Sequence, residues 1–282
     1  MNQEITLLPN LGNAVRGADG FPEISDFNLE AFSIRVDQQI FSNFQKNLAR
    51  RILMLSSVNS TSRSKSFFAN FLKRVSEDLL GLLIGERVQS PRGVGFDPSF
   101  QLKSKTTLLI GNFHTHLWVD ADFREKLKLK RIKSDSYSNL ESRVKLEAPV
   151  GIHVRLGDYL SIDELNVLNR HYYSNAIEAS KKVSTLDPIW IFTNDPVRLN
   201  QYLPAEFISD ATIVDLSLTS SETLELLRYC SVVVTANSTF SWWGAHATHQ
   251  EKITIFTPTR WFRTKSNPTQ IIPDAWIPLD ND

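Results

Sequence analysis

The chain has 282 residues, enough for one large or two modest domains with real cores, and its 41% hydrophobic and 22% charged residues are those of an ordinary globular protein rather than a disordered or fibrous one. The 31 basic residues balance 31 acidic ones, so no global field favours nucleic acid, and the single cysteine, Cys230, excludes an internal disulfide framework and a cysteine-based zinc cluster. No apolar run approaches the ~20 residues that span a bilayer and the N-terminus lacks a signal-peptide layout, which points to work on the cytoplasmic side.

In chain order, residues 1–34 are rich in Asn, Gly, Pro and Asp, and Asn10-Leu11-Gly12-Asn13 and Ala18-Asp19-Gly20 read as turns. Apolar residues recur at helical spacing over residues 36–55, through Phe41, Phe44, Leu48, Ile52 and Leu55. They do so again over residues 65–84, through Phe68, Phe71, Leu72, Val75, Leu79 and Leu82. Two amphipathic helices follow, with Lys46, Arg50 and Arg51 on the first and Lys73 and Arg74 on the second forming a solvated face. Gln89-Ser90-Pro91-Arg92-Gly93 reads as a turn, and Leu108-Leu109-Ile110-Gly111-Asn112-Phe113 as a strand entering a cleft loop.

His114 and His116 would face one side of that strand, a spacing that metal sites also use, but no third ligand stands near them in the sequence. Cleft-lining or hydrogen-bonded histidines are the expectation there, and equally for His246 and His249, one helical turn apart; no metal is expected. Asp120-Ala121-Asp122 reads as the acidic start of a helix. Residues 124–133 carry six positive charges and one negative. Their default reading is a solvated helix or edge strand, the alternative being peripheral contact with anionic lipid headgroups or a phosphorylated glycan carrier.

The second half begins with Val150-Gly151-Ile152-His153-Val154-Arg155-Leu156-Gly157-Asp158-Tyr159, an apolar, β-branched run that ends in a glycine and presents a histidine, an arginine and an aspartate. A phosphate site is built from such parts. Arginine offers a planar fork of donors, glycine lets backbone approach, and aspartate holds the loop or the arginine in place. The same residues read structurally as a turn aspartate, a satisfied strand histidine and a surface charge. Residues 169–184 look helical, 189–192 form a strand, 196–201 a short helix, and short β segments are expected near Phe207 and Ile213. A helix over 221–229 capped by Ser220 or Ser221, a strand at 232–235, a helix at 239–248 and a strand at 253–256 complete the series. Strands alternating with helices imply a parallel sheet covered on both faces, whose ligands sit beyond the carboxyl ends of the strands. Residues 155–158, 193–195 and 237–241 all fall at such ends, so their convergence is expected. Asn237 or Ser238 would cap the last helix, whose free N–H groups and dipole suit an anion.

Two of these stretches, His153-Val154-Arg155-Leu156-Gly157-Asp158-Tyr159 and Asn237-Ser238-Thr239-Phe240-Ser241-Trp242-Trp243, together resemble the family 11 glycosyltransferases, the α-1,2-fucosyltransferases. That family's pattern is His-x-Arg-Arg-Gly-Asp-Tyr followed by a late Asn-Ser-Thr-Phe-Ser-Trp-Trp. The second stretch reproduces it throughout, whereas in the first Leu156 stands where the family commonly has its second arginine. Ile191-Phe192-Thr193-Asn194-Asp195 looks like the family's Phe-Ser-Asp-Asp segment, and Ile110-Gly111-Asn112-Phe113-His114-Thr115-His116 sits where the family has a Gly-Tyr-Trp-Gln-like stretch. Family members begin with a strand and a Gly-Gly-Leu-Gly-Asn-Gln loop. Here Leu11-Gly12-Asn13 is the only echo, so the first strand–helix unit reads as missing or diverged.

The resemblance implies an α/β fold of two Rossmann-like halves, GT-B-like: an acceptor-side half at residues 1–147, largely helical and incomplete or diverged, and a GDP-sugar-binding half at 148–282. It implies inverting transfer of L-fucose from GDP-β-L-fucose to the 2-hydroxyl of a galactose-containing glycan, lipid-linked in one version, in surface polysaccharide or glycan synthesis. No cofactor or metal is expected, because Arg155 and the mouth of the 239–248 helix can neutralise the leaving pyrophosphate. Arg155 and Asp158 are the catalytic candidates, with Arg155 on the β-phosphate and His153, Gly157 and Asp158 shaping its loop. Asp195 is assigned to the nucleoside, and Asn237, Ser238, Thr239, Phe240 and Ser241 to the diphosphate or ribose. His114, His116 and Asp120 are the acceptor-side candidates. The general base is left unassigned: Asp158 is a candidate but equally a pin for the loop, and His116 or Asp120 across the cleft are the alternatives. The competing readings are a non-catalytic GDP-sugar-binding protein that has lost the glycine loop, and a transferase for another GDP-sugar.

Overall fold

The computed structural model describes residues 42–56, 63–92, 95–101, 107–111, 115–118, 135–184, 188–268 and 270–282. They divide into two units: the described residues up to Trp118 with Pro268–Ile271, and the described residues of Val119–Asn267 with Ile272–Asp282. The predicted turns of the N-terminal segment, Leu11-Gly12-Asn13 among them, His114, the Asp120-Ala121-Asp122 pair and the basic run 124–133 lie outside the described residues.

In the N-terminal unit, α1 (Asn43–Ser56) packs on α2 (Arg63–Ile84), and α2 packs on β1 (Arg87–Gln89), which pairs in parallel with β2 (Thr107–Leu109). Ser42 and Gln45 start α1 reciprocally. Gln45 N–H donates to the Ser42 hydroxyl at 3.3 Å and Ser42 N–H to the Gln45 amide oxygen at 2.7 Å, satisfying two donors that a helix start leaves free. Leu48, Ala49 and Ile52 meet Leu80, Val88, Leu108 and Ile110 in the core. On α2 the burial departs from the sequence pattern. Phe68, Phe71, Val75, Leu79 and Leu82 are exposed, whereas Lys73, Ser76 and Leu80 are buried. Lys73, expected on a solvated face, turns inward because the loop after β1 offers it carbonyls: its ammonium donates to Ser90 O at 2.9 Å and Pro91 O at 3.3 Å. Burial lowers its pKa against the pull of Glu77. Gln89, predicted to open a turn, is the last residue of β1.

The C-terminal unit is a six-stranded, all-parallel sheet, the α/β arrangement read from the alternation of elements. α3 (Asp135–Glu147) leads into β3 (Val150–Val154), and α4 (Arg170–Val183) into β4 (Ile189–Thr193). The short helices α5 (Leu199–Tyr202) and α6 (Ala205–Asp210) lead to β5 (Thr212–Ile213), then α7 (Ser220–Leu227) to β6 (Val232–Val234), and α8 (Thr239–His246) to β7 (Thr254–Pro258) and β8 (Ile277–Leu279). All residues of β3 and β6 are buried, which is why β6 is an unbroken run of valines and β3 is apolar but for His153. The strands lie in the order β5-β4-β3-β6-β7-β8, so the direction of winding reverses between β3 and β6. Such a reversal opens a crevice at the carboxyl ends of the two strands.

Three local expectations change. Phe207, read as β, lies in α6 and packs its ring against the core. α7 is capped by Thr219 rather than Ser220 or Ser221, because only Thr219 has Glu222 three residues on to complete a capping box. α3 carries little apolar signal, with Tyr137 and Val144 its buried side chains, and was not foreseen. Among the described residues, no helix is long and apolar enough to cross a membrane.

Candidate functional site

Arg155 leaves the sheet directly after β3, and its loop is held by the neighbouring strand. Asn194, directly after β4, accepts from Leu156 N–H through Oδ1 at 2.9 Å and donates from Nδ2 to Leu156 O at 3.3 Å, extending the β3–β4 ladder with a side chain. Leu156 itself is 1% exposed and sits in the core. Gly157 has a φ of +58°, and a Cβ there would stand 2.6 Å from Asn194 Nδ2, so the turn needs glycine for both its backbone and the clamp. The sequence placed Asn194 at a strand end expected to converge on the site, but not its clamp on Leu156, since that partner lies far away along the chain.

Within this loop Arg155 is bound to Asp158 at 2.8 Å, and its guanidinium lies 5.1 Å from the centre of the Tyr159 ring. Its side chain keeps 27% exposure, and Nε is buried without a partner. His153 is 4% exposed, its ring 5.1 Å from that of Phe240, and this contact joins the end of β3 to the first turn of α8. Burial pushes the His153 pKa down to about 3, and the Arg155 charge acts in the same direction. The imidazole is therefore neutral at neutral pH.

The turn after β6 is locked from within. Asn237 donates from Nδ2 to Leu165 O and to Trp261 O, both at 2.9 Å, strapping together the loops that follow β3 and β7. Ser238 caps α8, accepting from Phe240 N–H at 3.4 Å. The Ser241 hydroxyl is 0% exposed, accepting from Ala236 N–H at 3.2 Å and lying 3.3 Å from Ser238 O. Of the predicted residues in this turn, Asn237, Ser238 and Ser241 thus build it, and Thr239 presents an exposed side chain. Arg155 and Asn237 line the same small pocket, together with Tyr159, Leu165, Asn166 and Tyr202. The buried phenols of α4 brace both strands from below: Tyr172 donates to Thr235 O at 2.6 Å and Tyr173 to His153 O at 3.3 Å.

Asp195 also lies at the carboxyl edge, but its carboxylate is engaged by Arg198 at 2.7 Å. His116 lies in a short 3₁₀ turn (His116–Trp118) of the N-terminal unit. Among the described residues, no three His, Cys, Asp or Glu side chains gather in a way that could hold a metal ion. His249, expected to be cleft-lining or hydrogen-bonded, places Nε2 at 2.7 Å from Glu225 and stacks on Tyr229, and His246 stacks on Trp242. Glu225 also receives Arg228 at 2.6 Å, and Arg228, 0% exposed, donates from Nε to Ala247 O at 2.6 Å. Burial acts to raise the Glu225 pKa, but the hydrogen bond from His249 and the Arg228 charge outweigh it and hold the carboxyl below its ordinary range.

What the carboxyl edge can do follows from its charges. A partly open guanidinium steadied by a carboxylate follows β3 and a helix N-terminus follows the neighbouring β6, two groups of the kind that suit a phosphate.

The sequence profile described as glycosyl transferase family 11 matches residues 102–277. An alpha-1,2-colitosyltransferase of Escherichia coli is 23% identical over 292 residues, covering 97% of this chain and 97% of that protein. The O-antigen biosynthesis glycosyltransferase WbnK, also of Escherichia coli, is 28% identical over 140 residues, covering 45% of this chain and 43% of that protein. Among solved structures, the fucosyltransferase NodZ from Bradyrhizobium aligns over 53% of this chain and 55% of its own, with a TM-score of 0.38 and 16% identity. The chain thus spans about half the length of that solved structure. With the profile running from ahead of α3 to β8 and taking in every strand-end loop of the crevice, the chain belongs to glycosyl transferase family 11 and is a glycosyltransferase.

Proposed function

We propose that this protein transfers L-fucose from GDP-β-L-fucose to the 2-hydroxyl of a galactoside, with inversion and without a metal ion. The observation that carries the reading is that Arg155 and the Ser238-capped start of α8 lie at the carboxyl ends of β3 and β6, where the strand order reverses. The acceptor oxygen attacks the sugar C1 from the face opposite the nucleotide. The bond from C1 to the β-phosphate oxygen breaks, its electron pair leaves on the diphosphate, and the acceptor hydroxyl proton passes to a base. Arg155 and the α8 N–H groups take up the charge that grows on the leaving diphosphate. The ion pair to Asp158 favours its role as the pin of Arg155 over that of general base. Thr239 is the side chain of the turn open to ligand.

A second reading, colitosyl transfer, is favoured by the colitosyltransferase whose alignment spans 97% of both chains. Such an end-to-end match also favours a working transferase over a binding remnant. Purified protein incubated with GDP-fucose and a panel of β-galactosides, with and without EDTA, tests the proposal. An α-1,2-fucosylated product unaffected by chelator is expected. Transfer from a colitose donor alone replaces the first reading by the second, and strong inhibition by EDTA overturns the metal-free mechanism. Contact of residues 124–133 with anionic headgroups around a lipid-linked acceptor belongs to the same proposal, and absence of co-sedimentation with anionic vesicles overturns that part.

A further inference from the structure

A buried polar atom without a partner forgoes about 1–3 kcal/mol of hydrogen bonding, and in a folded protein such an atom calls for a physical reason. Among the described residues of the C-terminal unit three side-chain nitrogens are buried in this state: Nδ1 of His153, Nε of Arg155 and Nε1 of Trp261. The first two belong to the end of β3. The third follows β7 on the same carboxyl edge of the sheet, since all six strands run parallel.

Trp261 is 3% exposed, and its main chain is fixed on both sides. Its N–H donates to Asn267 Oδ1 at 2.9 Å, and its carbonyl accepts from Asn237 Nδ2 at 2.9 Å. Asn237 in turn lines the small pocket with Arg155 and directly precedes the cap of α8. The indole is therefore carried by a loop bonded to the turn where a diphosphate would rest. An indole N–H can only donate, and phosphate oxygens can only accept. Packing alone would be served by an aromatic ring without a polar atom.

We propose that Trp261 is a donor-binding residue whose indole N–H donates a hydrogen bond to a phosphate oxygen of the nucleoside diphosphate held at Arg155 and α8. This rests on the reading of the β3–β6 crevice as the donor site. It adds a third strand-end loop, the one after β7, to the groups that hold the diphosphate.

Calorimetric titration of GDP and of guanosine into the full chain and into Trp261→Phe tests it. The substitution keeps the ring and removes the N–H. Affinity for GDP is expected to fall roughly 10- to 100-fold while affinity for guanosine stays unchanged, the span expected for one hydrogen bond to a charged group. Wild-type affinity of a folded Trp261→Phe for GDP overturns the role of Trp261 and leaves the donor-site reading standing. Absence of GDP binding by the wild-type chain overturns both. Should Trp261→Phe not fold, the indole 15N–1H resonances of the six tryptophans in the wild-type chain answer the question. One is expected to move downfield on saturation with GDP, and six unmoved resonances overturn the proposal.

Discussion

Two arginines of the C-terminal unit, Arg155 and Arg228, sit in opposite kinds of surroundings. Arg228 is 0% exposed, answered by Glu225 and by Ala247 O, with His249 closing the cluster from the other side of the carboxylate. Arg155 is held by one carboxylate, keeps an unpartnered Nε, and opens onto a pocket at the carboxyl edge of the sheet. A buried charge whose partners are all supplied by the fold steadies the fold. A charge placed firmly but left incompletely answered is prepared for a ligand.

The largest effect that could break this contrast concerns Arg228. Arg228→Met leaves Glu225 buried beside a neutral side chain, and a loss of about 3–5 kcal/mol is expected in chemical denaturation. Arg155→Ala is expected to do the converse. Transfer should fall about 100- to 1,000-fold, with stability changed by about 1 kcal/mol or less, as seen in steady-state rates and a denaturation midpoint. Equal effects of the two substitutions on stability would erase the distinction.

Acid sharpens it. His153 has its pKa depressed from an ordinary 6.5 to about 3, so the unfolded chain takes up a proton that the folded one refuses. The contribution of this residue to stability is full above 6.5 and is lost as pH falls from there towards 3. Glu225, whose pKa is also lowered, contributes fully above its ordinary value of 4.5 and loses that contribution only as pH falls further. Denaturation midpoints measured from pH 7 downwards should therefore begin to drop before Glu225 titrates, and His153→Phe should delay that onset. The smallest expected effect is that of Asn194→Ala. Leu156 loses both side-chain partners, so stability should fall by about 1–2 kcal/mol, and KM for the sugar nucleotide should rise severalfold as the Arg155 loop loosens.

Much of the C-terminal unit could be read from residues alone, for a physical reason: β3 and β6 are buried throughout, so their sequences are apolar but for His153, and glycine and small polar residues mark their ends. The strand-end placement of Arg155 and Asn237 followed from the alternation of elements. What Asn237 does there did not, because its amide answers carbonyls of Leu165 and Trp261 that are distant in the chain. The clamp of Asn194 on Leu156 was not foreseen for the same reason. α3 was missed because so few of its side chains are buried, and the helix around Phe207 because six residues are too few to display a period. On α2 a strong apolar stripe pointed to the wrong face, since Lys73 found carbonyl partners that no periodicity reveals.

The strand order also bears on synthesis. β3 and β6 are neighbours in space, yet α4, β4, β5 and α7 are made between them. A nascent chain that has emerged from the ribosome only as far as β5 carries Arg155 but has no helix start opposite it. The crevice thus closes late, after the longest loop in the sheet has been drawn together. If the proposed donor site is right, chains that end before Phe240 should not retain GDP in an equilibrium-dialysis assay.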